Sequence, residues 1–396
     1  MIHLFFNALA ASAGAGLTYV RNIVPEISNR NDVHATIAVT STLRREFREV
    51  PNIKFIELDA SGTAQRFWRE QSLLPKMIQS ADADVLISTG NFALRKSPVP
   101  QILLSGNSLY TSADFYRDVW RRRDFGAWLD THTKAIFARR SVFWADVTVA
   151  PSQAFAEVLH QWTGREIASV YHGFNRDQFF QDTTPLSPDV QETIKAAEGA
   201  LKLLFVSHYN YYRNFETLLR AVPLFRDRVP GRKVKLFLTC KLHSDHNPGS
   251  YKAEPASALV RELGIAENVI ELGAIPYNQL HHLYRSVDVY ITPAYAETFA
   301  HPLVEAMACG LPIVASDTPV HREICAGSAV FFGRFSAAGL AEQVVKIAAS
   351  QDLACQLKAC GQKRATDFSW REHVNKIVTI ARLCTRKKAQ ISDHYT

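Results

Sequence analysis

Glu297 and Glu305, eight positions apart, flank a short run of Phe299, Ala300, His301 and Pro302. In isolation such a pair reads as a surface loop acid and a helix cap, but the setting points to a binding site. The apolar stretch Val289–Thr292 precedes the run as a strand, and Pro302 suits a first helical residue, where its missing N–H costs nothing. Gly310 and Pro312 then stop the helix. A loop running into a short helix at the C-terminal edge of a parallel sheet is where open α/β sheets take their ligands. Backbone N–H groups from Phe299 to Leu303 would point into that crevice, and a helix N-terminus favours an anion such as a diphosphate. Glu305, expected in the first turn, leans toward the N-terminus and could accept hydrogen bonds from ribose hydroxyls. Glu297, on the loop, could face a sugar.

These residues need sheets to hold them, and the pattern supplies two sets. Strands are expected at Ile2–Phe6, His34–Val39, Lys54–Leu58, Asp84–Ser88, Gln101–Leu104 and Val147–Ala150, then at Lys202–Val206, Val234–Thr239, Val269–Leu272, Val289–Thr292 and Ile313–Ser316. Helices are expected at Leu17–Asn29, Gln153–Gln161, Phe215–Phe225, Ala256–Leu263, Tyr277–Ser286, Leu303–Ala308 and Ala338–Ser350. The alternation predicts α/β layers with parallel sheets. The polar, proline-containing stretch between Phe174 and Lys202 (Asp177, Gln181, Asp182, Pro185, Ser187, Pro188) reads as a linker, giving domains 1–178 and 179–371. A last helix begins near Trp370 after the cap pair Ser369 and Glu372 and runs into Arg386-Lys387-Lys388.

The 396 residues suit two domains, and 47% hydrophobic with 21% charged residues is a globular balance. No apolar run approaches the roughly 20 residues of a membrane span. The stretch Met1 to Gly16 lacks Lys and Arg and is interrupted by Asn7, so it reads as a buried strand and a tight turn rather than a secretion signal. All six cysteines lie in the second half without a C-x-x-C pair, the pattern of a reduced, cytoplasmic chain. A net charge of +7 admits anionic partners without choosing among them.

The run from Ala296 to Asp317, A-E-T-F-A-H-P-L-V-E-A-M-A-C-G-L-P-I-V-A-S-D, closely resembles the E-x7-E signature of the retaining glycosyltransferases of family 4, the glycosyl transferases group 1 domain. Val269–Leu283 resembles the segment that frames the base in that family, Val287–Pro293 its A-D-V-x-x-x-P strand, and Tyr171–Phe174 its P-N-G-V hinge. The resemblance is good from about Val147 to Phe332 and weak before that. It implies the GT-B fold: α/β, with two Rossmann-like domains whose parallel sheets face each other across a cleft, the helix at about 372–390 packing back on the first. It also implies metal-independent retaining transfer from a nucleoside diphosphate sugar, a co-substrate with no cofactor, to a glycan or lipid-linked acceptor of the cell envelope. Glu305 would bind the ribose, Glu297 the sugar or leaving-group side, the backbone of Phe299, Ala300 and His301 the diphosphate, and the stretch around Ile275 the base.

The family's G-R-x-x-x-x-K-[NG] run falls on Ser207 to Asn214. Arg213 stands at the lysine, Asn214 keeps the next residue, and His208 replaces the arginine. Arg213 could stabilise a leaving diphosphate through a bidentate contact, whereas His208 could do so only when protonated. In the first half, Ser12 to Gly16 stands at the family's Gly-rich turn, with Gly14 and Gly16 as donor contacts. Gly106 and Asn107 stand near the place of a family histidine. Asn107 could hydrogen-bond on the acceptor side but could not act as a base.

Between Phe115 and Trp128, arginines alternate with large aromatics. That composition suits an anionic membrane surface, hence a peripheral place on the inner face of the plasma membrane, and equally an amphipathic helix with aromatics in the core. No nucleic-acid motif accompanies the positive charge. Asp82-Ala83-Asp84 mimics a metal motif but immediately precedes a strand, and His243-Ser244-Asp245-His246 and His281-His282 lack the accompanying ligands, so no metal is expected. Two rivals remain: a sucrose-synthase or phosphorylase-like enzyme, and a degenerate, non-catalytic GT-B protein that binds a nucleotide or a partner protein.

Overall fold

The structure, a computed structural model, describes the whole chain except Ser12, Ala13, Pro230, Pro248, Ser250 and residues 394–396; of Ala15 and residues 387–393 it describes only the backbone. The chain divides into two compact units, Met1–Thr111 with Leu129–Gly173 and Ser369–Thr396, and Ser112–Trp128 with Phe174–Phe368.

In the first unit β1 (Ile2–Asn7), β2 (Val33–Val39), β3 (Ile53–Glu57), β4 (Val85–Ser88), β5 (Gln101–Leu104), β6 (Val147–Ala150) and β7 (Ala168–Ser169) form one parallel sheet in the order β3-β2-β1-β4-β5-β6-β7. The second has β8 (Leu201–Phe205), β9 (Val234–Leu238), β10 (Val269–Glu271), β11 (Val289–Thr292), β12 (Ile313–Ser316) and β13 (Ala329–Phe332), ordered β10-β9-β8-β11-β12-β13 and again parallel. Both are open sheets whose order reverses beside the first strand, as in doubly wound folds. The central strands read as unbroken apolar runs because helices cover both faces. β4 (VLIS), β11 (VYIT) and β12 (IVAS) are buried at every position.

Each expected strand is present within a residue or two. The sheets add β7 and β13 at their edges, where a two-residue strand and a half-buried one carry little periodic signal. The stretch expected as a linker instead holds the helices Arg176–Gln181 and Pro188–Ala196. Its polar residues are helix-start chemistry: the Asn175 side chain accepts the Gln178 N–H, and Pro188 sits in the first turn. The boundary falls at 173/174 rather than 178/179, the chain rejoins the first unit at Ser369, and Ser112–Trp128 clusters with the second unit.

The final helix, Trp370–Asp393, packs Trp370, Val374, Ile377, Val378 and Ala381 against Leu4, Phe6, Tyr19 and Val20. His373 is pinned there between the Tyr171 carbonyl (2.8 Å) and the Tyr19 hydroxyl (3.1 Å), and burial lowers its pKa to about 4. Asp84 accepts the His3 backbone N–H at 2.7 Å, which accounts for an acid at the mouth of β4.

Candidate active site

In the second unit the expected donor-side residues His208, Arg213 and Asn214 follow β8, Glu297 to Glu305 follow β11 and Ile275 follows β10, whereas Gly14 and Gly16 lie in the first unit. After β8 the chain passes His208 and makes a 3-10 turn at Tyr211–Arg213, started by Asn210, whose side chain accepts the Arg213 N–H. Asn214 then adopts a left-handed φ of 57° and opens the helix Phe215–Arg226. Its amide donates to the carbonyls of Pro293 (3.1 Å) and Arg334 (2.7 Å), and its oxygen accepts from Thr217 (2.8 Å). Asn214, expected as a donor contact, therefore spends its side chain tying three chain segments together.

Arg213 forms an ion pair with Glu297, so two residues separated widely in sequence meet. Its guanidinium lies 5.0 Å from the Tyr212 ring centroid, a cation–π contact. The pair uses Nη1, and Nε is buried with no hydrogen-bond partner among the described residues. A buried N–H left without an acceptor is costly, and a phosphate oxygen would satisfy it. The pKa of His208 lies below the ordinary histidine value, through desolvation and the nearby charge of Arg213. At neutral pH His208 is therefore uncharged, and the cation at this position is Arg213.

The helix expected from Leu303 begins at His301 and runs to Ala308, capped by Ala300 at a φ of 62°. Phe299 and Ala300 are buried. Of the N–H groups expected to face the crevice, that of Leu303 already donates to the Ala300 carbonyl at 3.0 Å, and Pro302 has none. Burial lowers the pKa of His301 to about 4, so its ring is neutral.

Because the helix starts two residues before Leu303, Glu305 falls in its second turn rather than the first. It is 5% exposed, and one carboxylate oxygen accepts from the Tyr284 hydroxyl at 2.9 Å. Burial raises its pKa to about 7, and the Tyr284 hydrogen bond opposes the rise. No local pattern marks Tyr284, which lies on the helix Leu280–Arg285, as a partner of Glu305. Ile275 is half-buried on the loop after β10. Two residues on, Tyr277 is about half exposed, and its pKa is raised by partial desolvation and by the charge of Glu305.

In the first unit, Gly14 and Gly16 do not form a free turn but start the helix Gly14–Ser28, Gly14 with a φ of 57°. A Cβ on Gly16 would lie 3.4 Å from the Ala11 Cα, so glycine lets the helix abut the preceding loop. Ser12 and Ala13 of the same run lie outside the described residues. Asn107 caps the 3-10 turn Ser108–Tyr110, its oxygen accepting the Leu109 N–H at 3.0 Å.

The aromatic and basic segment has one buried face and one exposed face. In the helix Ala113–Arg121, Phe115 and Val119 are fully buried. Trp120 is 61% and Phe125 53% exposed, and Tyr116, Arg117, Trp120, Arg121 and Trp128 line a cleft of about 290 Å³. No helix among the described residues is long and apolar enough to cross a membrane.

Residues 188–364 match the family described as Glycosyl transferases group 1. A D-inositol 3-phosphate glycosyltransferase of Catenulispora acidiphila is 34% identical over 177 residues, 43% of this chain and 40% of that protein. The chain spans less than two thirds of the length of such curated relatives. Among solved structures, sucrose-phosphate synthase from Thermosynechococcus elongatus superposes with a TM-score of 0.76 at 16% identity, covering 97% of this chain and 99% of that one. The HepE protein of Anabaena, solved with UDP and glucose, gives 0.68 at 16% identity, covering 96% and 99%. Residues 188–364 thus resemble a glycosyl transferases group 1 domain, and the chain has the two parallel-sheet, Rossmann-like units of the GT-B fold.

Proposed function

We propose that the protein transfers a sugar, with retention and without a metal, from a nucleoside diphosphate sugar to a glycan or lipid-linked acceptor. The observation that carries this reading is the Arg213–Glu297 pair, with a buried guanidinium N–H still lacking an acceptor, in the same unit as the buried Glu305. Arg213 supplies the positive charge that a leaving diphosphate requires. Glu305 takes the ribose hydroxyls through its unpaired oxygen. Uridine diphosphate sugars come first as donors, because HepE is solved with UDP and glucose.

A thermal-shift panel of UDP, GDP and ADP sugars tests the reading, since a ligand that binds only the native state raises the melting temperature. One nucleotide should stabilise the wild type and fail to stabilise Glu305→Ala. Ribose hydroxyls donate to the ionised carboxylate, so binding lowers the pKa of Glu305, and affinity should rise with pH through about 7. No shift with any nucleotide up to millimolar concentration would favour the non-catalytic alternative.

The exposed face of the Phe115–Trp128 segment supports a further part of the reading, a peripheral place on an anionic membrane at the cytoplasmic face. Trp120 and Phe125 offer rings to the headgroup layer, and Arg117 and Arg121 offer guanidinium groups to its phosphates. Sedimentation with vesicles containing anionic lipid, absent with zwitterionic vesicles and lost in Trp120→Ala, is the expected result. Equal sedimentation with both kinds of vesicle would remove the electrostatic part.

A further inference from the structure

The buried side of Ser112–Trp128 is as polar as it is apolar. Asp118 accepts from the Arg122 guanidinium (2.8 Å) and from the Tyr295 hydroxyl (2.9 Å). Arg122 also pairs with Glu216 (2.8 Å) and lies 4.3 Å from the Tyr211 ring centroid. Tyr209 donates its hydroxyl to the same Glu216 (3.1 Å), and Tyr211 donates its own to Asp124 (2.9 Å). The three tyrosines are buried. Such contacts are charge-assisted, in surroundings where breaking one strands a desolvated partner.

These anchors converge on the two loops that carry the ion pair. Tyr209, Tyr211 and Glu216 bracket Arg213. Tyr295 stands two residues before Glu297, and its backbone N–H donates to the Tyr212 carbonyl at 3.0 Å. The first loop holds only a 3-10 turn and a left-handed residue, so little regular backbone structure fixes it.

We propose that Asp118 and Arg122 are positioning residues: acting through Tyr295, Glu216 and Tyr211, they hold the loops of Arg213 and Glu297 in register. What the loops do rests on the sugar-transfer reading; the holding itself does not. The Tyr295 hydroxyl connects the segment to the Glu297 loop, and Asp118, which accepts it, is partly buried, so that desolvation raises its pKa. A displacement of about 1 Å in a reacting group can cost about a hundredfold in rate.

The experiment uses the full chain with Tyr295→Phe, Asp118→Ala and Asp118→Asn. Tyr295→Phe removes one hydroxyl and leaves the fold intact. Amide hydrogen exchange is followed in peptides covering 207–215 and 293–299, and donor hydrolysis is measured in parallel. Tyr295→Phe and Asp118→Ala should speed exchange in both loops and lower kcat at least about tenfold, with KM within about threefold. Asp118→Asn keeps an acceptor for the hydroxyl but turns its NH2 toward Arg122 and loses the ion pair, so it should recover only part of the loss. Wild-type exchange in both loops overturns the proposal, and so does loosened exchange with unchanged kcat in an active enzyme. Loosened loops in a wild type and variants that all lack donor hydrolysis would sink the sugar-transfer reading while supporting the holding role.

Discussion

On the proposed sugar transfer, Arg213→Ala is expected to slow cleavage of the donor's sugar–phosphate bond by about 10²–10³-fold, the usual loss when one preorganised donor to a developing anion is removed. Guanidinium has five N–H donors. Glu297 engages Nη1, and Nε is buried without an acceptor. The side chain can therefore stay paired with Glu297 and still have further N–H groups to offer a phosphate. Charge on the diphosphate grows as the bond breaks, so the interaction is stronger in the transition state than in the bound donor, and the loss falls mainly on kcat. Arg213→Lys keeps the charge but not the planar fork, and recovers only part of the rate. The lysine variant also serves as the control for folding, because alanine leaves the Glu297 carboxylate, 10% exposed, without its partner. Single-turnover hydrolysis of the donor measures both variants. Wild-type kcat in both would remove Arg213 from the chemistry.

The parts legible in the sequence were those carried by local spacing. Strands buried on both faces announce themselves as apolar runs, and the helix after β11 is marked by Pro302 and Gly310 in the chain itself. The Glu297 and Glu305 pair was visible for the same reason. What escaped was fixed by distant contacts. Tyr284 meets Glu305 from another helix, and nothing in its neighbourhood marks it as a partner. Asn214 looked like a ligand contact because its position matches a motif, yet its amide bonds Pro293 and Arg334, segments far along the chain. The segment Ser112–Trp128 shows arginines and aromatics in sequence, but only the fold shows that Arg122 and Asp118 turn inward while Trp120 and Arg117 turn outward. The charge of His208 was likewise open, because desolvation and the neighbouring Arg213 decide it together.

Gly173→Ala is the second large effect expected, and it acts on the fold of the first unit. A Cβ on Gly173 would lie 2.1 Å from the backbone nitrogen of Trp370 and 2.5 Å from its Cα. No rotamer change relieves a clash with backbone, so the start of the helix Trp370–Asp393 must move. That start is locked nearby, where His373 bridges the Tyr171 carbonyl and the Tyr19 hydroxyl and Trp370 packs against the Tyr19 ring with centroids 5.7 Å apart. Overpacking a well-ordered core typically costs about 1–3 kcal/mol, and a clash with backbone belongs at or above the upper end. For a folding unit of the first unit's size about 3 kcal/mol lowers the melting temperature by roughly 6–12 °C. Gly62→Ala is the control. Gly62 lies in extended backbone with nothing within 4 Å of a Cβ, so the substitution costs no more than the few tenths to about 1 kcal/mol of a changed helix cap. Equal melting temperatures for the two variants would show that the close approach of Gly173 to Trp370 is not what fixes the last helix to the first sheet.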